Sequence, residues 1–191
     1  MRWLMLYARS RQVPVSAAAV TLVALAVWAL DQGHGDGSTN LGIAVLVLTA
    51  NVMAASAGLG GQDEELERTA AIRWVPRRAA HVLLIATAAG AGLLAVHAAG
   101  PELAPAALVV RDSAGLAGLA ALGAVLCGAP FAWALPTVWL TYTLLSPAPP
   151  GMVGEVAKWM IVLPGTAAST ATAWVLLVSG TVLYAAAGPR R

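Results

Sequence analysis

The chain has 191 residues, of which 59% are hydrophobic and 10% charged, with a formal net charge of +2 and a mean hydropathy of +0.77. So few charges cannot cover the surface of an ordinary soluble domain; helices that cross a bilayer are expected instead, each about 20 residues long. The single cysteine, Cys127, leaves no disulfide pair and no thiolate cluster for a metal, and three scattered histidines supply no ligand set.

The first predicted span is 13–30, "VPVSAAAVTLVALAVWAL", entered by Pro14 near its first turn and followed by the Gly- and Asp-rich stretch "DQGHGDGSTN". Its basic flank of Arg2, Arg9 and Arg11 resembles a signal peptide. Its apolar run exceeds a typical signal core, so it is expected to stay as a span. The second span is 41–59. Asn51 lies in its middle, where an unpaired amide is costly, so it is expected to bond another helix or to face a cavity.

A charged stretch, 60–79, follows. Together with Ala80 and His81 it reads "GGQDEELERTAAIRWVPRRAAH" and holds eight of the chain's twenty Asp, Glu, Lys and Arg residues. At about 2.5 to 3.5 kcal/mol per central charge, these residues cannot lie at hydrocarbon depth. The spacing predicts a short amphipathic helix with Asp63 as N-cap. Glu64, Glu65 and Glu67 complement its positive end and Arg73 its negative end. Glu64 and Arg68 pair at i and i+4, and Leu66, Ala70 and Trp74 form a narrow apolar stripe. Pro76 is expected to stop this helix. A helix this short needs something to pack against, and its four leading acids suit a protein better than an anionic lipid surface.

The third span is predicted at 80–99, ended by Gly100 and Pro101. The apolar run from Ser113 to Leu145 is too long for one crossing, so two antiparallel spans, 113–128 and 131–146, are expected to turn at Gly128 to Pro130. Residues 147–166 follow, containing "GMVGEVAKWMIVLPG" between Pro147, Pro149, Pro150 and Pro164. The sixth span is 167–187, running into "GPRR". Small residues at helical spacing, Ala50, Ala54 and Gly58 or Ala120, Ala124 and Gly128, suit close helix approach.

Six crossings with a cytoplasmic N-terminus put nine cations inside: Arg2, Arg9, Arg11, Arg68, Arg73, Arg77, Arg78, Arg190 and Arg191. Only Arg111 and Lys158 fall outside. Trp133 and Tyr184 are then expected at the inner interface, and Trp159 and Trp174 at the outer one. Lys158 is the only lysine, beside ten arginines in an Ala- and Gly-rich chain. That bias belongs to GC-rich codons and points to the cell membrane of a GC-rich bacterium.

The stretch "GQDEELERTAAIRWVPRRAAHVLL", set between a second and a third span, resembles the permease subunits of ATP-binding-cassette exporters of the type 2 class. The matching letters are Glu64, Glu67, Arg68 and Thr69, and the resemblance extends through "RDSAGLAGLAALGAVLCGAPFAW" and the span pattern. It implies an all-α permease with six transmembrane helices, both termini cytoplasmic, and a coupling helix between spans two and three. In that helix Asp63, Glu64, Glu65, Leu66, Glu67, Arg68, Thr69, Ala70, Arg73 and Trp74 would dock on an ATPase subunit. It further implies a second permease copy or a paralogous half, and a substrate path at their interface. Asn51, Thr137, Thr141 and Tyr142 are the candidate polar residues of that path. Segment 147–166 would hold short re-entrant helices at the outer surface.

The chain lacks G-x-x-x-x-G-K-[ST], so no cofactor is expected in it; ATP and magnesium would bind the partner. Apart from the lipid bilayer and these subunits no partner is expected, and no nucleic acid. Two rival readings are a membrane adaptor that recruits a partner without transport and an intramembrane enzyme. "EELER" resembles the Glu-Glu-x-x-x-Arg motif of CAAX-type proteases, yet Arg68 follows the pair by three residues, not four, and no G-x-S-x-G is present.

Overall fold

A computed structural model describes residues 41–60, 74–99 and 103–190. All regular structure among them is helical: α1 (Leu41–Ser56), α2 (Trp74–Ala99), α3 (Ala106–Leu126), α4 (Ala134–Leu145), α5 (Gly151–Ala157) and α6 (Ala167–Ala187). Short 3-10 turns at Ala57–Leu59 and Ala129–Phe131 extend α1 and precede α4. Among the described residues four helical stretches are long and apolar enough to cross a membrane: Leu41–Leu59, Trp74–Ala98, Ala106–Leu126 and Ala167–Ala187. The chain is therefore a helical protein of membrane character. The expected first span, 13–30, lies outside the described residues.

Three expected boundaries move. α2 begins at Trp74 rather than Ala80 and runs 26 residues, about 39 Å. Pro76 therefore starts a helix instead of stopping one. The described helix runs from Trp74 straight through Pro76. Arg77 lies 5.9 Å over the ring of Trp74, a cation–π contact that fixes this first turn.

α3 begins at Ala106, seven residues before the expected Ser113, directly after Pro105, whose extended backbone is at φ −55°, ψ 138°. It stops at Leu126, and Gly128 (φ 100°) and Pro130 make the expected turn. The expected span 131–146 is realised as the 3-10 turn and the 12-residue α4, about 18 Å long and shorter than a hydrocarbon core. Breakers on both sides, Pro130 and Pro147, confine it.

α3 is the hub. It packs against α1, α2, α4 and α6, and most of its residues are buried, including Leu108, Leu116, Ala120 and Ala124. Its approach to α6 is the closest. A Cβ on Gly118 would meet the backbone N of Leu177 at 2.5 Å, and one on Gly180 would meet the Gly118 Cα at 2.9 Å. Only glycine fits on either side. These glycines, not the expected ridges, carry the contact: Ala120 and Ala124 are buried, Ala50 and Ala54 only partly, and Gly128 has left the helix.

α3 and α6 run parallel. Gly115 faces Ala173, Gly118 faces Leu176 and Leu177, and past their ends the N–H of Arg190 donates to the Ala124 carbonyl at 2.9 Å. Residues 127–166 must therefore return from one end of the bundle to the other, which α4 does together with the extended, proline-rich 146–150. On its far side α6 exposes Val175, Val178 and Val182, an apolar face that suits lipid tails.

Candidate functional site

The charged loop joins α1 to α2 at the end of the bundle where α3 and α6 also terminate. Its expected docking residues Asp63, Glu64, Glu65, Leu66, Glu67, Arg68, Thr69, Ala70 and Arg73 lie outside the described residues. Trp74 is described, and it is the first residue of α2, not the last of a separate helix. Both roots of the loop are anchored. At the first, Tyr184 of α6 donates its hydroxyl to the Leu59 carbonyl at 2.6 Å, and Gly60 packs on Ala129. Tyr184 is thus buried in the bundle rather than set at an interface.

At the second root, the Arg78 guanidinium lies against Gly188, where a Cβ would meet Nη1 at 2.7 Å. Gly188 ends α6 at φ 75°, ψ −179°, an extended positive-φ conformation that is essentially confined to glycine. The tail then turns across α3. Besides its backbone bond to Ala124, Arg190 donates Nη1 to the Leu126 carbonyl at 3.2 Å, placing a cation at the negative end of that helix. The turn, the tail and the start of α2 thus come together between the two roots of the loop.

Of the four candidate path residues, Thr137 and Thr141 stand one turn apart on α4 and Thr137 also reaches Met53 Sδ of α1 at 3.5 Å, while Asn51 lies inside the bundle. Asn51 is fully buried, and its amide has no hydrogen-bond partner among the described residues. Thr137 and Thr141 return their hydroxyls to the carbonyls of Trp133 (2.7 Å) and Thr137 (2.8 Å), the usual way a helix satisfies such a group in lipid. Tyr142 is exposed and lines an open groove of about 630 Å³ with Leu135, Val138 and Trp139 of α4 and Met152, Val153, Val156 and Ala157 of α5. Its walls are apolar, so it offers acyl chains or helices a surface and polar solutes none.

At the opposite end, two cations expected in outer loops are buried. Arg111, 5% exposed, lies inside α3 and directs Nε to Asp112 (2.8 Å), Nη1 to the Ser169 hydroxyl (3.1 Å), and Nη2 to the carbonyls of Trp159 (2.7 Å) and Val162 (2.8 Å). Lys158 donates to the carbonyls of Thr143 (2.9 Å) and Ser146, where α4 ends. Trp159, expected at the interface, is fully buried between α3 and α6, its ring against Gly115. Trp174 is 47% exposed on α6.

Sequence reasoning missed this cluster. The signal was "RDS" six residues after Pro105: a buried Arg needs a buried acid beside it, and Asp112 follows directly. Among the described residues no group of three or more His, Cys, Asp or Glu could hold a metal.

No protein-family model matches the chain, and neither a curated protein nor a solved structure matches it.

Proposed function

We propose that the chain is the membrane-embedded permease subunit of an ATP-driven exporter of the type 2 class, working as a dimer with separate ATPase chains. One observation carries this reading: an acid-led, charge-dense loop, 61–73, joins two helices able to cross the membrane, and its roots are anchored among Tyr184, Ala129, Gly188 and Arg190. A loop that only linked two spans would need neither six charges in thirteen residues nor an anchored base. A force-transmitting contact needs both, because a push on a flexible tether is lost.

In this reading the two roots deliver motion to different helices. Leu59 is tied to α6 through Tyr184, and the start of α2 abuts Gly188 through Arg78. Both routes reach the α3–α6 pair, which packs too tightly to deform and so would move as one body. The nine-to-two cation asymmetry supports a cytoplasmic loop and cytoplasmic termini, with 13–30 and the α4 return completing six crossings.

The test is charge reversal in the loop. Glu67→Arg or Arg68→Glu is expected to leave insertion and thermal stability unchanged while lowering both ATPase co-purification and export, since like charges across a docked interface cost several kcal/mol. Wild-type assembly and export in both variants would remove the coupling assignment. Loss of a partner from a chain that exports nothing in either form would favour the adaptor.

A further inference from the structure

The segment that follows α5 is tied to the rest of the bundle by side chains; its own backbone bonds run only to α5 (Lys158 N–H to the Gly154 carbonyl) and within itself (Ile161 and Val162 N–H to the Lys158 carbonyl). Trp139 donates Nε1 to the Ala157 carbonyl at 3.0 Å, Lys158 reaches back to the end of α4, and Arg111 takes the carbonyls of Trp159 and Val162. Releasing these bonds would break no helix ladder. On either side stands a glycine in the left-handed region, Gly151 (φ 67°) and Gly165 (φ 132°), and a Cβ at either would meet nothing within 4 Å. Two conformationally permissive residues in open space bracket a segment whose middle is pinned.

The pinned state also carries a penalty. The Trp159 indole N–H, the second Asp112 carboxylate oxygen and the Thr143 hydroxyl are buried with no hydrogen-bond partner among the described residues. Trp159 belongs to the segment, Thr143 gives its carbonyl to Lys158, and Asp112 is paired with Arg111, so all three are tied to the latches, and lifting would relieve their burial. Strong holds and local desolvation thus oppose one another at one place, as in a two-state element.

We propose that residues 157–162 form a lid, shut in this structure, that lifts about Gly151 and Gly165 and withdraws Trp159 from between α3 and α6 while the bundle stays folded. Arg111 and Lys158 are its latches. Lifting leaves a space the size of an indole ring against Gly115 and Ala173. The lid is independent of what the protein transports and of whether it transports at all.

The test is thiol reactivity of the purified full chain in lipid nanodiscs, with Cys127→Ser and one new cysteine at Met160, which is fully buried. Because both faces of a nanodisc are open, orientation does not matter. A charged thiol reagent should modify this cysteine slowly. Lys158→Met, or Arg111→Met with Asp112→Asn so that no charge is stranded, should raise the rate about tenfold or more. Gly115→Ala should do the same without touching a charge, because the new methyl would meet Trp159 Cζ3 at 2.8 Å. A cysteine at Ala120, equally buried in mid-bundle, reports on global opening and should keep its rate in every background. An unchanged rate at Met160 in all three backgrounds overturns the lid, and so does a rise at Met160 matched by one at Ala120.

Discussion

At the loop end of the bundle, Arg190 is exposed and Arg77 and Arg78 lie half-buried near the surface, each close to a helix terminus. At the opposite end, Arg111 and Lys158 are withdrawn into the protein and bonded to four backbone carbonyls and a hydroxyl as well as to Asp112. A cation retained in water marks topology. A cation sealed among carbonyls is a structural ligand, and its side of the membrane follows from where its carbonyls are. The two minority charges are thus not a weakness in the nine-to-two asymmetry: neither is a free loop charge, and removing them from the tally leaves it one-sided.

The comparison breaks most sharply at Arg111. Replacing it with Met leaves Asp112 as a buried acid without its counter-charge, a change that typically costs about 3 to 5 kcal/mol. Thermal unfolding in detergent, followed by tryptophan fluorescence, should show this as a large fall in the midpoint. Adding Asp112→Asn should restore more than half of it. A midpoint within the error of wild type would mean the buried pair does not matter to the fold.

Gly188 tests the loop end. Any side chain there must adopt a positive-φ, extended backbone that is essentially confined to glycine and also displace the Arg78 guanidinium, so Gly188→Val should cost about 1 to 3 kcal/mol. The loss should concentrate at that end, with faster amide exchange in residues 185–190 than in α3. Uniform loss through α3 would show that the tail is part of the core rather than a local anchor between the loop roots.

How much of this was legible in sequence follows from what each signal measures. Apolar length located 41–59 and 167–187 almost to the residue, because flanking breakers stand at their ends, Gly60 after the first and Gly165 and Gly188 around the second. It failed at Ala106–Val110, where a charged Arg-Asp pair looked like a boundary. Hydropathy prices a charge as if it faced lipid, and it cannot see that Trp159, Val162 and Ser169, roughly fifty residues away in sequence, supply the bonds that make Arg111 admissible. Pro76 misled for a related reason. Its effect depends on where it stands in a helix, which the local sequence does not state, and here the helix runs on through it. The candidate path residues were chosen for polarity alone. The structure returns the Thr137 and Thr141 hydroxyls to carbonyls one turn back, with Thr137 also touching Met53 Sδ of α1, and spacing could have suggested the first, since every helical threonine has a carbonyl four residues back within reach.

Tyr184 offers a milder change. Tyr184→Phe keeps the ring that fills the space between α6 and the first loop root and removes the 2.6 Å bond to Leu59. The expected loss is about 1 kcal/mol, the usual net value of one hydrogen bond, enlarged if the Leu59 carbonyl stays dry. If coupling passes through this bond, ATP turnover in the assembled complex should persist while export per ATP falls. Equal falls in both would place Tyr184 in general stability.

The smallest effect is expected at Arg190, and its two bonds can be separated. Its side chain reaches the Leu126 carbonyl from an exposed position, at 3.2 Å, and an exposed cation at a helix end contributes about 0.3 to 1 kcal/mol at low salt. Its backbone N–H caps the Ala124 carbonyl at 2.9 Å, and that bond does not depend on the side chain at all. Arg190→Ala should therefore be nearly silent, and what loss there is should vanish in high salt, where surface charges are screened. Arg190→Pro removes the donor and should cost more, about 1 kcal/mol, with no salt dependence. If the alanine variant proves the worse of the two, the tail is held by charge and not by its backbone. Cations at the loop end would then do the same carbonyl-capping work as those at the other end, and the contrast between the two ends would disappear.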